Sequence, residues 1–228
     1  MLESIRKMWR IPDLRNKILY TLGMLLLFRL VGVIPAPGVD AAKVLSSKAS
    51  DLPLLQLVNV MTGSNFANMT IMAMGITPYI NASIIMQLLT IAIPALERMQ
   101  KDEEGGREKI ARITRYVTVG LAAVQAIGLV AGLGFIKSGW YNYALVGISM
   151  AGGSALAMWI GERITEKGVG NGISMLIMAG ILSNLFNGIV SGFTNASANG
   201  TSSGWLNLLV IAVMFVIMVV VVTFVDMG

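Results

Sequence analysis

The feature that most constrains this chain is a run without one charged residue, from Leu52 to Leu96. Roughly 20 residues of helix cross the hydrocarbon core of a bilayer, so this run is about twice as long as a single crossing needs. A second uncharged run extends from Gly168 to Val225. Hydrophobic residues make up 55% of the chain and charged residues 13%, the latter gathered into a few clusters. This is the pattern of an all-helical integral membrane protein. Cysteine and histidine are both absent, which excludes disulfides, thiolate nucleophiles, imidazole bases and the usual zinc or haem ligands. No enzyme activity, cofactor or metal is expected, and the net charge of +5 needs no nucleic-acid partner.

Charge placement sets the topology. Met1 to Lys17 is basic and amphipathic, with Pro12 expected to break any helix, and reads as a segment on the cytoplasmic membrane face. The first span follows from Ile18 to Ile34, too long and too charged, with Arg29, for a cleaved leader. Six basic residues between Arg98 and Arg115 belong in the cytoplasm with the N-terminus. The stretch from Val39 to Leu96 must then cross an odd number of times, which leaves one crossing and about 20 surplus residues.

The surplus is Leu54 to Met61, apolar, then a polar break at Thr62, Gly63, Ser64 and Asn65. Two readings fit: a re-entrant half-helix that dips in and returns, or an external helix on the surface. The crossing runs from about Gly75 to Ala95, with Pro78 expected to loosen the turn at Met74 and Gly75. Ile76, Ile80 and Ile84 stack four apart with Gln87 continuing the line, either a lipid-facing or core stripe or an apolar constriction. Arg29, a charge inside a span, is a functional candidate by default. The plainer reading has it reach the interface or a backbone carbonyl.

Val117 to Ile136 reads as the third span, Lys137 to Asn142 as an external turn anchored by Trp140 and Tyr141, and Tyr143 to Ile160 as the fourth. Gln125 is a polar group mid-span, of the kind that joins helices. The following WIGERITEKGVGNGIS carries Glu162, Arg163, Glu166 and Lys167 on a cytoplasmic loop able to dock a partner. Its alternating glycines lack the spacing of a nucleotide fingerprint. Gly172 to Val190 and Trp205 to Val225 are the fifth and sixth spans, separated by an external loop at 191–204. In this layout the chain divides into a basic segment (1–17), five spans (18–190), the loop and the sixth span (205–228).

GITPYINASIIMQLL from Gly75, WIGERITEKGVGNGIS from Trp159 and IPAPGVDAAK after the first span closely resemble stretches of the SecY family, the channel subunit of the bacterial Sec translocon. The resemblance implies a pseudo-symmetric channel of ten helices, of which this chain supplies six and a plug, and implies that the chain is a truncated part. It places a pore ring on Ile76, Ile80, Ile173 and Ile177. It places the plug at about 55–70, including Leu57, Asn59, Val60, Met61, Thr62, Gly63 and Ser64, and gate-helix polar positions on Ser83, Gln87 and Gln125. The implied function is passage of unfolded secretory polypeptides across the bacterial plasma membrane, with lateral release of apolar segments into lipid. Implied partners are SecE, SecG, the SecA motor or a ribosome, signal peptides and nascent chains. A secondary transporter, which also uses inverted repeats and broken helices, is the competing class.

Overall fold

A computed structural model describes residues 11–40, 59–101, 105–137, 139–199, 210, 213–214, 217–218 and 220–225. Leu57 and the basic stretch before Ile11 lie outside them. Among the described residues the longer helices are α1 (Pro12–Val31), α2 (Thr77–Ala92), α3 (Pro94–Lys101), α4 (Gly106–Gly132), α5 (Trp140–Lys167) and α6 (Gly172–Asn199). Helical residues between 210 and 225 occupy the place of the sixth span. Among the described residues the extended structure is two isolated bridges, Pro35 with Thr70 and Val39 with Ile136.

Helix ends depart from the sequence expectations for identifiable reasons. Pro12 opens α1, since the first turn has no use for the amide proton that proline lacks. Pro78 likewise sits in the first turn of α2, with Ile76 as the capping residue before it. The crossing does not continue straight to Ala95: α2 and α3 meet at a 102° bend. Ile93 is extended there (φ −109°, ψ 111°), the conformation that a following proline imposes.

The third and fourth spans extend beyond their apolar cores. α4 begins at Gly106 and carries the basic residues Lys109, Arg112 and Arg115, while α5 continues to Lys167. Charged residues are good helix formers, and an established helix propagates through them at little cost. Glu162, Arg163, Glu166 and Lys167 therefore stand on the last turns of α5, and the loop expected there shrinks to residues 168–171. α6 also runs through to Asn199, into the segment expected to be external loop.

Glu108–Gly132, Trp140–Lys167 and Gly172–Val190 are each long and apolar enough to cross a membrane, and the bent α2–α3 pair makes a fourth candidate. The protein is a multi-pass, all-helical membrane protein. Trp140 and Tyr141 are exposed at the start of α5, as interfacial anchors require.

The chain divides into two compact units, Met1–Ile181 and Leu182–Gly228. In the first, α4 packs along α5 and α2, and α1 lies against α5. Its irregular backbone is hydrogen-bonded, as membrane depth demands. Ala36 N–H donates to Met69 C=O (3.0 Å), Ile71 N–H to Ile34 C=O (3.0 Å) and Asp40 N–H to Phe135 C=O (2.8 Å). In the second, described apolar side chains such as Phe186, Met214 and Phe224 are exposed, which suits a lipid surround.

Candidate functional site

The site begins where α6 is pressed onto α5. Asn171 accepts the N–H groups of Ile173 (3.0 Å) and Ser174 (3.3 Å), a helix cap. The Thr165 hydroxyl accepts the Gly172 N–H at 2.9 Å, and the Thr21 hydroxyl accepts that of Val169 at 3.1 Å. Gly172 lies so close to the Gly161 carbonyl that a β-carbon would overlap it. Ile173 and Ile177 are thereby held on the inner face of the first turns of α6.

The other side is formed by the segment before α2. Ile71 is held by Ile34, and the chain then turns to Ile76, whose carbonyl accepts the Ile80 N–H at 3.1 Å. Ile76, Ile80, Ile173 and Ile177 come together in one apolar cluster with Phe28, Met72, Ile160, Ile164 and Leu176. A β-carbon added at Gly161 would lie 3.3 Å from Ile173 and 3.6 Å from Ile76, so that glycine is a floor common to both sides. Ile84 stands off the cluster, 50% exposed, so the isoleucine stripe is inward only at its start.

A small cavity of about 20 Å³ opens among Phe28, Met61, Thr62, Ile76, Ile80, Leu176 and Ile177. That volume admits about one water molecule. Sequence reasoning missed Phe28 and Leu176, both nearly fully buried. Leu176 was detectable, since Ile173, Leu176 and Ile177 follow the i, i+3, i+4 rule; nothing local points to Phe28.

Residues 59–62 are helical and the chain then coils through turns to Thr70. Gly63 and Ser64 both take left-handed conformations (φ 68° and 69°). The Asn59 side chain accepts the Ala67 N–H at 2.9 Å, and the Thr62 hydroxyl accepts that of Phe66 at 3.3 Å. Thr62, Asn65, Phe66 and Met69 are buried. Residues 62–70 are thus packed into the protein, while 54–58, most of the stretch read either as a re-entrant or as an external helix, lie outside the described residues. Val60, by contrast, is 44% exposed.

Arg29 reaches backbone carbonyls, as the plainer of its two readings holds. Its guanidinium donates to Gly63 C=O (3.1 Å), Ala179 C=O (2.8 Å) and Gly180 C=O (3.5 Å). Gly180 has no room for a β-carbon because the Met61 carbonyl occupies that position.

Ser83 and Gln87 lie on α2 and Gln125 on α4, two helices in contact. Ser83 and Gln125 are half-buried and Gln87 is exposed. The charged end of α5 is largely self-paired. Glu162 accepts from Arg115 at 2.8 Å, joining α4 to α5, and Arg163 binds Glu166 at 2.7 Å while lying 5.8 Å from the centre of the Trp159 ring. Lys101 holds the Glu97 carboxyl on α3 below its ordinary range through a hydrogen bond, in a solvated pair of little energetic weight.

A family model described as SecY matches residues 70–228. The protein translocase subunit SecY of Bacillus subtilis is 42% identical over 193 residues, covering 81% of this chain and 44% of the relative. That of Streptomyces scabiei is 37% identical over 243 residues, covering 99% of this chain and 55% of its own. The chain therefore spans about half the length of the curated relatives it matches. Among solved structures, Sec61 in the canine ribosome–channel complex superposes with a TM-score of 0.63 at 24% identity, over 82% of this chain and 42% of that one. A structure described as that of a protein conducting channel gives 0.63 at 23% identity, over the same shares. The fold is thus shared with these channels, and the sequence, matched by the family's own model over most of its length, shows that this chain belongs to the SecY family.

Proposed function

We propose that this chain forms one side of a protein-conducting channel in the bacterial plasma membrane, with its N-terminus in the cytoplasm. The channel passes unfolded secretory polypeptides and releases apolar segments sideways into lipid. The observation that carries the reading is the meeting of Ile76, Ile80, Ile173 and Ile177, from segments far apart in sequence, in one apolar cluster, three of them, Ile76, Ile80 and Ile177, lining a cavity with room for about one water. A collar of branched apolar side chains excludes ions because stripping their hydration is very costly, yet it parts around an extended chain. Met61 and Thr62 line the same cavity, which supports the plug role for about 55–70.

Ser83, Gln87 and Gln125 stand on adjoining helices where a lateral gate would ease apart. Glu162, Arg163, Glu166 and Lys167, on the end of α5, would meet a cytoplasmic partner that supplies the driving force, SecA or a ribosome, with SecE and SecG completing the assembly. Sec61 in the canine complex is described together with a ribosome. The transporter alternative loses its best candidate, because the guanidinium of Arg29 is occupied by backbone carbonyls.

The test replaces Ile76, Ile80, Ile173 and Ile177 with glycine in the full-length channel, reconstituted in planar bilayers. Resting ion conductance should rise severalfold. Unchanged conductance in a folded channel would refute the collar.

A further inference from the structure

One side chain of α1 hydrogen-bonds to two other parts of the first unit at once. Arg29, three residues from the C-terminal end of α1, donates to Gly63 in the plug segment and to Ala179 and Gly180 in α6. Guanidinium carries five donors in a rigid fork. In apolar surroundings it is retained only where strong acceptors meet it. Backbone geometry is fitted to the contact: at Gly63 (φ 68°) a β-carbon would come within 2.6–2.7 Å of both terminal guanidinium nitrogens, and Gly180 accepts the Met61 carbonyl against its bare Cα.

We infer that Arg29 is a clasp: it fastens the end of the plug to α6, and its release is the step that frees the plug from the collar. The inference rests on the channel reading above, and it adds a positioning residue on a span that contributes no isoleucine to the collar. The clasp spans the place where Met61 and Thr62 line the cavity with Ile177. Separating α6 from α1 would pull the fork from at least one of its acceptors. Movement of the collar wall and loosening of the plug are coupled in this way, without any titrating group.

The experiment uses the full-length channel in proteoliposomes, with Thr62→Cys as reporter. This chain has no cysteine of its own, and Thr62 is 5% exposed. A membrane-impermeant maleimide is added from the plug side. Arg29→Met, which loses all the guanidinium's hydrogen bonds to Gly63, Ala179 and Gly180, should raise the labelling rate at least roughly tenfold, the population shift that one charge-assisted hydrogen bond alone would produce. Arg29→Lys, a point charge that cannot span all three carbonyls, should fall between. Gly63→Ala, which drives a methyl group onto the guanidinium, serves as a second variant should Arg29→Met not fold.

Equal labelling in the parent and in folded Arg29→Met, or in folded Gly63→Ala, overturns the clasp. Raised labelling with unchanged ion conductance supports the clasp and agrees with a collar that seals without the plug. Unchanged labelling beside a leaky isoleucine-to-glycine channel overturns the clasp and leaves the collar standing.

Discussion

Gly152 and Gly153 are neighbours on α5 with opposite surroundings. A β-carbon at Gly152 meets nothing within 4 Å, whereas at Gly153 it would overlap the Ile71 carbonyl oxygen and come within 2.6 Å of its carbon. Gly152→Ala should therefore gain the helix-propensity difference, about 0.5–1 kcal/mol. Gly153→Ala gains the same amount and loses about 1–3 kcal/mol or more to overpacking, because the obstacle is backbone and has no rotamer to change. Ile71 is itself fixed by its hydrogen bond to Ile34, which favours the upper end of that range. The two variants should then differ by about 2–3 kcal/mol, read as opposite shifts of the unfolding midpoint in a denaturing-detergent titration of the full-length channel. The displaced Ile71 leads to Ile76 five residues on, so Gly153→Ala should also leak ions while Gly152→Ala stays tight. Equal midpoints for the two variants would refute the packing of α5 against this segment.

Two further outcomes test smaller parts of the same frame. Asn59→Ala removes the acceptor of the Ala67 N–H, at a cost of about 1 kcal/mol; labelling of Thr62→Cys should rise, by less than in Arg29→Met. Thr165→Val strands the Gly172 N–H at the start of α6, costing about 1–3 kcal/mol; the unfolding midpoint should fall, and Thr165→Ser should restore it.

Three of the expected membrane-crossing segments, and a fourth in the bent α2–α3 pair, were legible in sequence because apolarity and charge clustering are forced by the bilayer. Helix ends were not, because helix propensity is indifferent to where lipid stops. Lys109 and Arg112 extend α4, and Glu162 to Lys167 extend α5, past the apolar runs that announce them. Pro12 and Pro78 punctuate a helix the same way whether they end one or begin the next, and here both begin one. At the site, the four-residue spacing of Ile76 and Ile80 was visible, but spacing alone leaves a lipid-facing stripe and a collar equivalent. The approach of α6 turns Ile76 and Ile80 inward and away from lipid, and it depends on Gly161, Gly172 and Asn171, which carry no apolar signal. Arg29 was conspicuous in sequence, but its acceptors are backbone atoms 34 and 150 residues away. Carbonyls at that distance leave no mark in composition or period.

The meeting of Met61 and Gly180 carries one more consequence. The surface that α6 offers there is bare main chain, and what leans on it is a peptide carbonyl. Such a junction reads shape and is blind to side-chain identity. The side chain at 61 is then free to vary so long as the peptide path holds, whereas at position 180 a β-carbon would overlap the Met61 carbonyl. A saturation scan of both sites should return a broad tolerance profile at the first and a single permitted letter at the second.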